Sequence, residues 1–283
     1  MPEQLVMERL DENLTRLKLG RMREILPEML KTSEVESWSY LRLLDALFEE
    51  EVAIKEQNRI ERILKGASLP YLKTIEEFDF AFQPGVDRRL VMGLFDLTFI
   101  ERKENIIFLG PPGVGKTHLA VALAVKAAEC GETIHFTTMA DLIDKLRADR
   151  QTGRIGRARR CYKSSLVVVD EVGYTPIGRD ECNLFYQFVA MRYEKASTII
   201  TSNKAFDEWS ELFHDPVIVT AILDRLLHHS VVVNIRGNSY RLKGKLPAPV
   251  LSKVEGPVLS PSTELRVDSV EGPILSMVEA EVS

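Results

Sequence analysis

The stretch NIIFLGPPGVGKTHLAVALA, residues 105–124, decides the fold. A β-branched and aromatic run leads into a glycine-rich turn, and the turn opens a helix rich in leucine and alanine. Gly110-Pro111-Pro112-Gly113-Val114-Gly115-Lys116-Thr117 fits the spacing G-x-x-x-x-G-K-[ST], with a strand before it and a helix after it. Glycines at these places let backbone N–H groups turn inward around phosphate oxygens, and the helix start adds the positive end of its dipole. In this reading Lys116 reaches the β- and γ-phosphates, Thr117 ligates Mg²⁺, and His118 completes the nucleotide-binding segment. A purely structural glycine turn is the bland alternative.

Working outward, four more short apolar runs follow: TIHFTT (133–138), SLVVVD (165–170), STIITSN (197–203) and VVVNI (231–235). Near-continuous apolarity suits parallel strands covered on both faces, and the helical stretches between them suit crossovers. The expectation is a doubly wound α/β domain on a five-stranded parallel sheet. The third run ends in Asp170-Glu171. At a strand end facing the glycine loop, Asp170 holds Mg²⁺ and Glu171 polarises water as a general base. An acidic pair after a strand also marks ordinary helix caps, so its weight comes from the loop upstream. Asn203 ends the fourth run, where it either orients the attacking water beside the γ-phosphate or simply closes a strand with a turn. The site so read binds ATP with Mg²⁺ and hydrolyses it to ADP and phosphate, with Lys116, Glu171 and Asn203 taking part.

The flanks differ in kind. Residues 1–66 read as a small all-helical domain, with Leu10, Leu14 and Leu17 on one stripe and Leu43, Leu44, Leu47 and Phe48 on another. Residues 67–103, containing FDFAFQP, read as a linker with aromatic anchors and the start of the nucleotide module; the core spans 104–245. Residues 246–283 hold no aromatics, five of the 13 prolines and the echoes APVLS, GPVLS and GPILS. They read as a disordered tail, inert or carrying a docking motif. No run approaches the roughly 20 apolar residues of a membrane helix, and three cysteines without C-x-x-C spacing suit free thiols in the cytoplasm.

The net charge of −5 conceals its distribution: the tail carries −4, whereas residues 145–163 hold eight bases against one acid, Asp149. Arg147, Arg150, Arg154, Arg157, Arg159, Arg160 and Lys163 are therefore candidate phosphate contacts, predicting salt-sensitive and largely sequence-independent binding to double-stranded DNA. A solvated helix face is the alternative, and it weighs equally for the smaller cluster Arg16, Lys18, Arg21 and Arg23. His228-His229 lack a visible third ligand, so the sequence favours surface or interface histidines over a metal site.

The segments YLRLLDALFEEEVAIKEQNRIERILKGASLP, FDFAFQP, GPPGVGKTHLAVALA, VVVDEVGYTPI, DRLLHHS and GNSYRLK together resemble the AAA+ superfamily. The resemblance is specifically to IstB-like ATPases of insertion sequences, relatives of the helicase loader DnaC and the initiator DnaA. It runs from about Trp38 to Lys243. It implies a homo-oligomer with nucleotide at subunit interfaces, bound to DNA and serving an IstA-type transposase that does the cutting and joining. It also implies that Arg225 is an arginine finger reaching a neighbour's γ-phosphate, an intrahelical ion pair being the alternative. Arg241 matches the sensor 2 position, but too little chain follows for a full helical lid, which is reduced or absent; its reach to its own nucleotide is open. A DnaC-like replicative helicase loader and a nucleotide-gated scaffold with negligible turnover are the rival functions.

Overall fold

The computed structural model describes residues 3–243 apart from 154–155, 175–176 and 214. The expected disordered tail and the candidate Arg154 lie outside the described residues. The chain runs α1 (Glu3–Arg16), α2 (Gly20–Val35), α3 (Tyr40–Gly66), α4 (Arg88–Gly93), α5 (Thr98–Glu101), β1 (Asn105–Leu109), α6 (Lys116–Glu129), β2 (Ile134–Thr138) and α7 (Met139–Thr152). It continues through α8 (Arg159–Lys163), β3 (Leu166–Val172), α9 (Arg179–Arg192), β4 (Ser197–Ser202), α10 (Trp209–Phe213), α11 (Pro216–His228) and β5 (Ser230–Asn234), closing on a 3-10 turn at Tyr240–Leu242.

The five strands form one parallel sheet in the order β2-β3-β4-β1-β5. Alternating side chains feed two cores. Ile106, Phe108, Val168 and Ile199 pack with α6, while Ile107, Leu109, Val167, Val169 and Ile200 pack toward α7, α9 and α11. With both faces covered, all five residues of β1 are buried, which is why the strand runs read as continuous apolarity. Asn105 is the polar member: its Nδ2 donates to Leu226 O (3.1 Å) and its Oδ1 accepts from Thr198 N (3.0 Å), tying β1 to α11 and β4.

The N-terminal helices share a small core of Leu14, Met22, Ile25 and Leu47. The two leucine stripes are only half covered: Leu10, Leu17, Leu44 and Phe48 stay exposed, with α1 packing on α2 and α2 on the long α3. Near its C-terminal end, Ile63 and Leu64 of α3 pack on the sheet core, and Arg59 Nη1 donates to Gly131 O (3.1 Å) just after α6. Phe136 N then donates to Ala67 O (2.7 Å), so the chain leaving α3 occupies part of the edge of β2 that a stray strand would otherwise pair with.

One buried cation fastens α8 to the sheet. Arg192, at the end of α9, is 2% exposed, and burial pulls its guanidinium down to about 10. Its Nη1 donates to Cys161 O (3.0 Å) and Ser164 O (2.9 Å), its Nη2 to Ser197 O, and its Nε to Thr198 Oγ1 (3.0 Å). Arg192→Met strands these acceptors away from water and is expected to lower unfolding stability by about 3 kcal/mol. Arg192→Lys, with fewer donors, recovers only part. Urea titration followed by circular dichroism checks this, and an unchanged midpoint in the Met variant contradicts it.

Candidate nucleotide site

The glycine loop leaves β1 in the interior of the sheet and ends at the start of α6, whose first N–H groups lack intrahelical acceptors as at any helix start. Two glycines are dictated by their surroundings. Gly113 (φ +83) and Gly115 (φ +100) are left-handed, and an added Cβ would stand 2.1 Å from Ser239 Oγ and 2.6 Å from Phe78 Cε2, respectively. Tyr240 N donates to Gly113 O (2.9 Å), so the chain after β5 straps the loop from one side. From the other side, Phe78 closes over Gly115 and meets the His118 ring edge-on at 5.4 Å, while His118 Nε2 bonds Thr74 O (2.8 Å). FDFAFQP, which reads as linker, thus forms a wall of the site.

Strap and loop enclose a cavity of about 300 Å³. Its lining includes Gly113 to His118 of the loop, the carboxylates Asp170 and Glu171, the aromatic rings of Tyr71, Phe78 and Tyr240, and the cation Arg241. Lys116 Nζ donates to Gly110 O (2.6 Å) and Pro111 O (2.8 Å), folding back across the loop. Burial lowers the Lys116 ammonium from its usual value; Asp170 opposes that shift and Arg241 adds to it. Gly110 itself donates its N–H to Ser202 O (3.2 Å).

The acidic pair sits on a β-bulge rather than at a clean strand end. Val169 pairs with Ile200 but Val172 with Ser202, so β3 carries one extra residue, and Glu171 takes φ +63. The bulge leaves Asp170 buried and Glu171 exposed. Thr201 locks this arrangement: its hydroxyl donates to Asp170 Oδ1 and accepts from Glu171 N (3.1 Å). Thr117 Oγ1 donates to both Asp170 oxygens (3.0 and 3.2 Å). Hydroxyl and carboxylate together make the hard oxygen set that Mg²⁺ prefers. The donors present therefore fit a magnesium-bound triphosphate.

The remaining candidates are placed as follows. Asn203 adjoins the start of the loop but does not line the cavity; its Oδ1 is shut from solvent without a hydrogen-bond partner among the described residues. Thr201, two residues earlier and within β4, lines the cavity instead. Arg241 reaches the cavity of its own chain, from the 3-10 turn rather than from a helical lid. Arg225 lies apart from the cavity: its guanidinium stacks 4.9 Å over Tyr186 and donates to Ala221 O (3.0 Å), with no carboxylate partner among the described residues.

The basic run divides. Arg147 bonds Asp144 (3.0 Å) and Glu181, and Arg150 faces Asp180 at 3.8 Å, so α7 spends these arginines on α9. Asp149 accepts the N–H groups of Gly156, Arg157 and Ala158 (2.8–3.0 Å), bracing the turn between α7 and α8. Arg159, Arg160 and Lys163 line a groove together with Arg62 of α3, and Arg160 Nη1 donates to Gly66 O (2.7 Å). Arg62, Tyr71, Phe78 and Thr201 were not singled out by the sequence. Thr201, a hydroxyl within an otherwise apolar strand run, carried the clearest signal.

No helix among the described residues is long and apolar enough to cross a membrane. Comparison with solved structures shows the fold: DnaI aligns with TM-score 0.50 at 18% identity, covering 58% of this chain and 91% of that one. The initiator DnaA bound to AMPPCP and single-stranded DNA aligns with TM-score 0.50 at 19% identity, covering 62% and 54%. Among sequences, an ATP-binding protein of insertion sequence IS21 from Pseudomonas aeruginosa is 45% identical over 253 residues, 89% of this chain and 96% of the relative. An ATP-binding protein of insertion sequence IS5376 from Geobacillus stearothermophilus is 43% identical over 239 residues, 84% and 95%. The model of the IstB-like ATP binding protein family matches residues 12–248, and the chain belongs to that family.

Proposed function

We propose that this protein is a Mg²⁺-dependent ATPase that assembles on duplex DNA and assists a partner transposase. The observation that carries the ATPase reading is the convergence of Lys116, Thr117, Asp170, Glu171 and Arg241 on one cavity. The insertion-sequence relatives, at 43–45% identity and covered over nearly their full length, favour a transposition role over helicase loading.

In this mechanism Lys116 exchanges the carbonyls of Gly110 and Pro111 for the β- and γ-phosphate oxygens, and loop N–H groups bind the rest. Thr117 and Asp170 would hold Mg²⁺, which would supply charge to neutralise the phosphates. Glu171, exposed on the bulge, accepts the proton of the attacking water. Arg241 adds positive charge from the same chain. Arg225, remote from its own cavity and held by no carboxylate among the described residues, serves as the finger for a neighbouring subunit.

Two sets of variants test these roles. Glu171→Gln is expected to keep ATP affinity and lose turnover at least a hundredfold, read by nucleotide binding and phosphate release. Arg225→Ala and Lys116→Ala subunits are each expected to be inactive alone but partly active when mixed. The first binds ATP without a finger; the second offers a finger without ATP. Absence of recovery at every mixing ratio contradicts a finger acting in trans.

We assign DNA binding to the groove of Arg62, Arg159, Arg160 and Lys163, with Arg157 two residues earlier in the chain than Arg159. Reversing Arg157, Arg159 and Lys163 to Glu is expected to weaken duplex binding for every sequence. The slope of log K against log salt should fall by about 0.9 for each phosphate that is no longer neutralised. Arg147→Gln should leave that slope unchanged, because Arg147 is held by Asp144 and Glu181. Equal salt slopes for wild type and the triple variant would place the DNA elsewhere.

A further inference from the structure

We propose that Glu194, His228 and His229 form a binding site for a divalent transition-metal ion of the zinc class, at the corner where α9 and α11 end. Their ligand atoms, one per residue, all lie within 4.8 Å of one another. The sequence presents the two histidines without a third ligand; the fold supplies it from 34 positions earlier than His228 in the chain.

The arrangement depends on two chain reversals. Consecutive residues on a helix point about 100° apart and do not face each other. Here α11 stops between them: His229 takes φ −128°, ψ 87°, and the two ring centroids come to 4.1 Å. Glu194 sits in the left-handed turn after α9 (φ +56) and places its Oε1 3.7 Å from His229 Nε2. Two ligands about 2 Å from a tetrahedral ion stand roughly 3.3 Å apart, so modest side-chain rotation closes the set.

A supporting partner is also in place. Tyr193 Oη and His228 Nδ1 are 2.7 Å apart. With the Nδ1 proton given to the phenol oxygen, Nε2 is left as the metal donor, the outer-shell arrangement that fixes imidazole ligands. Two imidazoles and one carboxylate suit zinc, cobalt, nickel or copper, with water completing the sphere, rather than the oxygen-seeking Mg²⁺ of the nucleotide site. An ion held here would cross-link the C-terminal ends of α9 and α11 one turn beyond Arg225, which itself rests on Tyr186 of α9.

The test uses tag-free, full-length, nucleotide-free protein in millimolar Mg²⁺, titrated with zinc by calorimetry and with cobalt by visible absorption. Wild type is expected to bind one zinc ion per chain and to show cobalt ligand-field bands. Glu194→Gln and His228→Gln should each weaken zinc binding about tenfold or more, and zinc should raise the melting temperature of wild type only. All three ligands are exposed, so matching melting temperatures without metal confirm that the variants fold. No saturable binding to wild type at 100-fold excess over about micromolar protein overturns the proposal. So does equal affinity in wild type and both variants, which would locate the ion at other residues.

Discussion

The candidate nucleotide site depends on how tightly residues 110–115 are confined. The loop hangs from the interior strand β1; Gly113 and Gly115 adopt positive φ that larger residues take only with strain, and Ser239 and Phe78 also occupy the space a Cβ would need. The same packing that excludes side chains from those positions encloses the cavity. A strap from the far end of the described chain and a wall from the segment before the sheet therefore become parts of a single binding site. Lys116, buried behind them, donates to two loop carbonyls, an arrangement that phosphate oxygens satisfy better.

The two carboxylates of the site rest on a second, smaller constraint. One extra residue in β3 turns Asp170 inward and Glu171 outward, and a single hydroxyl on β4 stabilises the distortion by bonding both. Removing Thr201 would leave Asp170 with Thr117 as its neighbouring donor and would free the Glu171 N–H. Local strain is thus stabilised by the neighbouring strand, which lets two adjacent acids take different environments, one buried and one exposed.

Much of this was legible in sequence because the signals are local. Strand runs, the glycine loop and the acidic pair each announce themselves within ten residues, and the five strands stand where the apolar runs place them. What was not legible is convergence between distant segments. Nothing adjacent to Arg147 or Arg150 reveals that α9 brings Glu181 and Asp180 to them. Likewise Arg241 gains its cavity through a strap rather than a lid, and Glu194 meets the two histidines only through the packing of α9 on α11. The exposed half of the leucine stripes shows the converse: periodicity gives an apolar face without saying how much of it the same chain covers.

Structure determination with Mg²⁺ and a non-hydrolysable ATP analogue tests the central claim most directly. The account predicts the triphosphate inside the cavity, Lys116 Nζ moved from the carbonyls of Gly110 and Pro111 to phosphate oxygens, and Thr117 parted from Asp170 by the metal. Arg241 of the same chain should face the nucleotide. A nucleotide bound outside this cavity, or Lys116 still holding both carbonyls with Arg241 turned to solvent, would contradict it.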